Sequence, residues 1–213
     1  MNVLIRRVRP SDDEELSRFY RELSPESLHA RFLGATRGIS GRAARAFCTL
    51  DHMHDEGLVA VLDDPAGHRI VGHVCLLDVG AGAVEIGICV ADRFQGLGIG
   101  RRLFERAIRW ANERGYTAIK ATCATDNSRV LSLLSSAPHG AQTTLAGGGT
   151  VDVSIPLVGE LPAPHESWPK GALAALACRR RSHGRRNPRT PLHMFWLPRP
   201  SRVGSGARMR AGR

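Results

Sequence analysis

No apolar run in the 213-residue chain approaches the ~18 residues that a membrane-crossing helix requires. Asp12, Asp13, Glu14 and Glu15 fall where a secretory leader would carry its apolar stretch, so no signal peptide is expected. The five cysteines are odd in number and form no C-x-x-C pair, which excludes a disulfide framework and a zinc pattern as readings of the sequence. Cys48, Cys75, Cys89 and Cys123 sit in apolar stretches and read as reduced core thiols. These absences predict a cytoplasmic protein without a membrane anchor. No internal repeat is present.

Acidic excess is also missing, and the basic excess is confined to one end. Residues 1–157 hold 18 basic and 18 acidic side chains, whereas residues 158–213 hold 12 basic and 2 acidic ones and supply the whole formal charge of +10. The chain reads as a neutral domain, 1–157, followed by a basic Pro/Arg-rich segment, 158–213. Seven prolines and the runs "RRRSHGRRNPR" and "RVGSGARMRAGR" break all periodicity there. The composition predicts a largely disordered tail. Its charge suits nucleic acid or an acidic partner, although Phe195 and Trp196 are the only aromatics well placed for base stacking.

Within 1–157 the pattern predicts a strand over Val3–Val8 and a helix from a Ser11–Glu14 capping box to about Leu23. A second helix opens at Ser24-Pro25 and a third covers Arg42–Leu50. "GLVAVL" and "RIVGHVCLLD" read as a hairpin around the turn Asp63–His68. "VEIGICV" (Val84–Val90) is almost wholly apolar and reads as a central strand. The helix Gly98–Arg114 shows Leu103, Phe104, Ala107, Ile108 and Ala111 on one face, with Gly115 as its cap. A strand over Tyr116–Cys123, a short helix ending near Ser136 and two last strands complete the order. The expected class is α+β with a mixed sheet flanked by helices.

Three glycines, Gly96, Gly98 and Gly100, stand where a helix must begin, although glycine weakens a helix by ~1 kcal/mol relative to alanine. A helix N-terminus carries unpaired N–H groups and about half a positive charge, so an anion binds there when side chains are out of the way. No G-x-x-x-x-G-K-[ST] string exists, and the third glycine of a G-x-G-x-x-G fingerprint would fall on Arg101. What stands there is Gln95-Gly96-Leu97-Gly98-Ile99-Gly100. This string resembles the Q/R-x-x-G-x-G/A pyrophosphate loop of the GNAT superfamily of acyl-CoA-dependent N-acyltransferases, and the element order is similar to the GNAT fold. "RFYRELSPESLHARFL" (Arg18–Leu33) further resembles the N-terminal helices of the GNAT domain in bacterial protein-lysine acetyltransferases.

The resemblance implies a mostly antiparallel central sheet, acetyl-CoA as co-substrate and an amine as acceptor, a protein lysine among the candidates. It implies that the N–H groups from Leu97 to Arg101 hold the pyrophosphate and that Cys89 and Val90 line the pantetheine arm. Asn127 then faces the same arm, and the Val90 N–H stabilises the thioester oxygen. An amine must lose its proton before it attacks. Glu85, the one acid of the central strand and set where many GNAT enzymes place a glutamate, is the candidate base, with a pKa expected to be raised by its apolar neighbours. The alternative is a strand glutamate facing solvent or paired with arginine. Arg101 and Arg102 are candidates for further phosphate contacts, or else a solvated helix face. Leu134 occupies the place where many relatives carry a tyrosine that protonates the leaving thiolate, so no general acid is evident. His52-Met53-His54-Asp55 alternates like a metal site but lacks a third ligand, and no metal is expected. Other readings are an acyl-CoA-sensing or nucleic-acid-binding module and a small-molecule amine acetyltransferase, the latter with Asp51, Asp55 and Glu56 as candidate acids around a cationic substrate.

Overall fold

The computed structural model describes residues 2–64 and 67–157. The basic segment 158–213, with the expectation of disorder attached to it, lies outside the described residues. In chain order the elements are β1 (Val3–Arg7), α1 (Asp13–Arg21), α2 (Pro25–Phe32), α3 (Gly41–Cys48), β2 (Glu56–Asp64), β3 (Gly67–Gly80) and β4 (Ala83–Val90). After these come α4 (Ile99–Glu113), β5 (Ala118–Ala124), α5 (Ser128–Ser135), β6 (Gln142–Gly147) and β7 (Thr150–Pro156). The strands form one sheet in the order β1-β2-β3-β4-β5-β7-β6, and β4–β5 is its parallel pair. This is the expected α+β class, with β4 at the centre.

Each face of the sheet is sealed by helices. On one face α4 lays Leu103, Phe104, Ala107 and Ala111 against Val74, Val84, Ile86 and Ile119, all buried. On the other, Leu16, Phe19 and Tyr20 of α1, Leu28 of α2 and Phe47 of α3 cover Val59, Cys75, Leu77 and Cys89. The two-residue alternation of β4 therefore sends Val84 and Ile86 to one layer and Cys89 to the other. Glu85 and Gly87 share the face of Cys89, toward α1–α3. Cys48, Cys75, Cys89 and Cys123 are free and buried. Among the described residues no helix is long and apolar enough to cross a membrane.

The start of α2 follows the sequence closely: Ser24 Oγ accepts from the Ser27 N–H at 3.1 Å, with Pro25 in the first turn. The start of α1 does not. A short turn, Pro10–Asp12, precedes it, and Asp12, not Ser11, stands at the N-cap of α1, where its side chain makes no bond to the helix. Its carboxylate accepts the Arg9 N–H at 2.7 Å and both terminal nitrogens of Arg6 at 2.7 and 2.8 Å. The two-pronged, charge-assisted bond to Arg6 ties this turn to β1 and leaves the Asp12 carboxylate facing away from α1.

Leu103 is fully buried and packs over Gly72, where an added Cβ would come within 2.9 Å of its Cδ1. Leu103→Ala is expected to cost about 2–5 kcal/mol of stability in urea denaturation. A loss below about 1 kcal/mol would show that α4 is not the clamp on this face.

Candidate active site

β4 and β5 stay together for three residue pairs, ending at Glu85–Lys120. Past that point β4 remains on β3 as far as Val90, and β5 remains on β7 as far as Ala124, so the two strands part. The parting opens a cleft of about 280 Å³. Glu85, Ile86, Gly87 and Ile88 form one wall and Ala121, Thr122 and Cys123 the other, with Arg31 of α2 at one end and Val130 and Leu134 of α5 at the other. The Ala91 N–H bonds the Val71 carbonyl at 2.9 Å, which makes the facing pair Gly72–Val90 one without mutual hydrogen bonds. Val90, and by alternation Ile88, thus direct their backbone groups away from β3, toward the side that β5 has left.

The chain leaves β4 through a turn at Asp92–Phe94 and enters α4 over the glycine segment. Gln95 is held from several sides. Its Nε2 donates to Ser27 Oγ and to the Val90 carbonyl, each at 3.1 Å, and its Oε1 accepts from Arg129 at 2.9 Å. Asp92 accepts from Ser24 and Ser27 and so fastens the same turn to α2. Burial pulls the Asp92 carboxyl upward, but these bonds together hold it below its ordinary range. The Gln95 N–H is already bonded to Asp92. From Gly96 onward the situation changes. Among the described residues, the N–H groups of Gly96, Leu97, Gly98, Ile99, Gly100 and Arg101 have no acceptor. Gly96 and Gly98 adopt φ of +77° and +78°, and a Cβ on either would meet nothing within 4 Å. Their conformation calls for glycine, and the space over the amides is open.

The other predicted residues divide. Ile99 buries its side chain in the core, Leu97 is exposed, and Arg101 extends to Glu105 at 3.0 Å. Arg102 turns away from the loop and donates to the Val3 carbonyl at 2.9 Å, so its guanidinium belongs to the β1 edge. Asn127 caps α5: its Oδ1 accepts from the Val130 N–H at 3.2 Å, which leaves its amide NH2 to donate elsewhere. Cys89 is buried among the α1–α3 residues and is not part of the cleft wall. Burial pushes its thiol up to about 12, with Arg31 and the Val90 N–H acting the other way, so it is protonated at neutral pH. Leu134 lines the cleft where a tyrosine would have offered a hydroxyl. In the alternating-histidine segment His52 turns to Glu56 and His54 to Asp51. Among the described residues no group of three or more His, Cys, Asp or Glu side chains is placed to hold a metal.

Arg31 and the groups packed around it were not anticipated. Arg31 is buried against the cleft, with Nη2 3.1 Å from Cys75 Sγ and its guanidinium 4.9 Å from the centre of the Phe32 ring. It lies flat on Gly87, where a Cβ would come within 2.5 Å of the guanidinium carbon. Gly87 is therefore a glycine for space, not for conformation. Below Arg31, the Tyr20 hydroxyl and His73 Nδ1 are 2.8 Å apart, and both rings are fully buried. Burial, with the charge of Arg31 second, lowers His73 to about 3.

The model of the Acetyltransferase (GNAT) family matches residues 15–136, more than half of the chain, and the chain belongs to that family. A Pseudomonas aeruginosa acetyltransferase is 30% identical over 119 residues, and the match spans 54% of this chain and 62% of that relative's length. Among solved structures, the GNAT domain of S. lividans PAT overlays with a TM-score of 0.64 at 24% identity, covering 71% of this chain and 89% of that one. A phosphinothricin acetyltransferase of the GNAT superfamily from Sinorhizobium meliloti, solved in complex with acetyl-CoA, overlays with a TM-score of 0.60 at 18% identity, covering 81% and 98%. At these identities the overlays establish the shared fold.

The His73 shift has a thermodynamic consequence. The group takes up a proton near 6.5 when unfolded and near 3 when folded, so the unfolded chain binds more protons between those values. Its contribution to stability is complete above pH 6.5 and is lost progressively as pH falls toward 3. Urea denaturation at pH 7 and at pH 5 is expected to show a lower midpoint at pH 5. Equal midpoints would contradict a buried, neutral His73.

Proposed function

We propose that the chain is an acetyl-CoA-dependent N-acetyltransferase acting on a primary amine. The observation that carries this reading is the run of unbonded N–H groups from Gly96 to Arg101 at the start of α4, beside a cleft opened by the parting of β4 and β5. The donors suit a diphosphate, because a helix start adds partial positive charge to a run of unbonded N–H groups. The strand edge at Ile88 and Val90 suits the amides of a pantetheine arm. The complex of the Sinorhizobium meliloti relative with acetyl-CoA supports the same ligand.

Bound acetyl-CoA supplies an acetyl thioester to the cleft. The Val90 N–H holds the thioester oxygen, and such a donor is typically worth ~3 kcal/mol in the transition state. Glu85, on the cleft wall, accepts the proton of the acceptor ammonium, so that a neutral amine attacks. As the new C–N bond forms the C–S bond breaks, and the thiolate takes a proton from solvent because Leu134 offers none. Gln95, Ser27 and Asp92 orient the loop rather than touch the reacting atoms. Asn127 contributes its amide NH2 beside the arm. The likeness of Arg18–Leu33 to lysine acetyltransferases supports a protein lysine among the acceptors.

Release of free thiol from acetyl-CoA should depend on added amine, across a panel of lysine peptides and small amines. A panel in which no amine releases thiol would overturn the reading. Glu85→Gln is expected to lower kcat about 10²–10⁴-fold and to remove the acid limb of the pH–rate profile, while the Kd for acetyl-CoA moves by less than about twofold. A pH–rate profile unchanged by the substitution would remove Glu85 from the role of base.

A further inference from the structure

Arg31 is a charged group in a place that charge avoids. Its residue is 8% exposed, and that exposure faces the cleft it lines together with Glu85 and Gly87. A guanidinium stays protonated in a protein, so burial does not neutralise it. Removing an ion from water costs several kcal/mol unless an opposite charge and hydrogen bonds replace the water. Neither is fully present. The described residues place no carboxylate within salt-bridge reach of it. Its Nε is buried without a hydrogen-bond partner, and its bonds go to two uncharged groups, the Cys75 thiol at 3.1 Å and the Tyr20 hydroxyl. Tyr20 and His73 lie behind it, and a neutral His73 brings no negative charge. The chain also gives up a side chain at position 87 to let the guanidinium lie against β4.

A buried, under-satisfied cation at the end of a cleft is arranged for an incoming anion. We infer that Arg31 receives a carboxylate of the acetyl acceptor, so that the acceptor is an amine that also carries a carboxylate. This rests on the amine-acetylation reading and deepens it. Gly87, on which Arg31 lies, and Glu85 are two residues apart on one face of β4, a separation of about 6.6 Å along the strand. An acceptor with its ammonium at Glu85 and its carboxylate at Arg31 places opposite charges at both ends. Planar guanidinium matches carboxylate with two parallel hydrogen bonds, which lysine cannot reproduce. The same geometry disfavours polyamines, whose second cation would meet Arg31. A free amino acid and a lysine beside an acidic residue in a peptide both present this chemistry.

The test compares matched pairs: glycine, β-alanine and γ-aminobutyrate against their carboxamides, and lysine peptides with aspartate or asparagine beside the lysine. Turnover is compared at equal concentration of neutral amine. At least one carboxylate is expected to exceed its uncharged counterpart by about tenfold or more in kcat/KM, and the better of the two series identifies the source. Arg31→Gln should bring that ratio close to one, and Arg31→Lys should restore only part of it. A ratio near one in the unsubstituted protein for every pair overturns the inference, as does a preference that survives Arg31→Gln. Binding provides a readout that needs no turnover: in the presence of CoA, a carboxylate probe should raise the melting temperature and its carboxamide should not. If no amine is acetylated yet this difference appears, the transfer reading fails and the Arg31 site stands. If amines are acetylated and the difference is absent, the Arg31 site fails alone. Should Arg31→Gln not fold, the matched pairs on the unsubstituted protein decide.

Discussion

The constraint on which the site depends is that β4 cannot follow two neighbours at once. It keeps its ladder with β3 to Val90, β5 keeps its ladder with β7 to Ala124, and the β4–β5 pairing ends at Glu85–Lys120. Backbone groups that a parallel partner would have satisfied are left facing a gap. In a closed sheet such groups would be a defect, because unpaired backbone polar groups are costly when buried. Here the gap is lined on both sides by side chains from α2 and α5, and it opens next to the start of α4. Strand edge, cleft and helix start thus meet within a few residues of Val90, so one departure from regular pairing brings together the three features on which the proposed binding of arm, reacting centre and diphosphate rests.

The two halves of the cleft are also tied to each other. Ser24 and Ser27 open α2, which carries Arg31; the same serines bond Asp92, and Ser27 bonds Gln95 in the glycine segment. Gln95 reaches back to the Val90 carbonyl, and Arg129 at the start of α5 holds its other end. The helix that carries Arg31 and the glycine loop that opens α4 therefore share one hydrogen-bonded network. The Ser24 hydroxyl does both tasks, capping α2 and holding Asp92, and the Ser27 hydroxyl adds the bonds to Asp92 and Gln95.

The sequence disclosed the parts of this arrangement that are local. Positive φ at Gly96 and Gly98, the Ser24 cap and the periodicity of α4 are each settled within a few residues, and the element order followed from them. What escaped was set by distant partners. Arg31 stands three residues after Leu28 on the packed face of α2, and a charge at a core-facing position was the available signal. It reads as an ordinary surface arginine until Gly87, far along the chain, is seen to make room for it. Arg102 was ambiguous for the same reason, because its acceptor is the Val3 carbonyl, far away in sequence. The choice of Asp12 over Ser11 depended on Arg6 reaching it from β1. The cleft was implied only through the family resemblance; where it opens is set by the end of the β4–β5 ladder at Glu85–Lys120, beyond which each strand keeps its other neighbour.

The central claim, that the N–H groups from Gly96 to Arg101 clasp the diphosphate of a coenzyme A thioester, is accessible atom by atom. Titrating CoA into 15N-labelled protein and following the backbone amides measures it directly. The account predicts that the largest amide shift changes fall on residues 96–101, with smaller ones at Ile88 and Val90. Binding that leaves the 96–101 amides unmoved, or no binding at millimolar CoA, would contradict it.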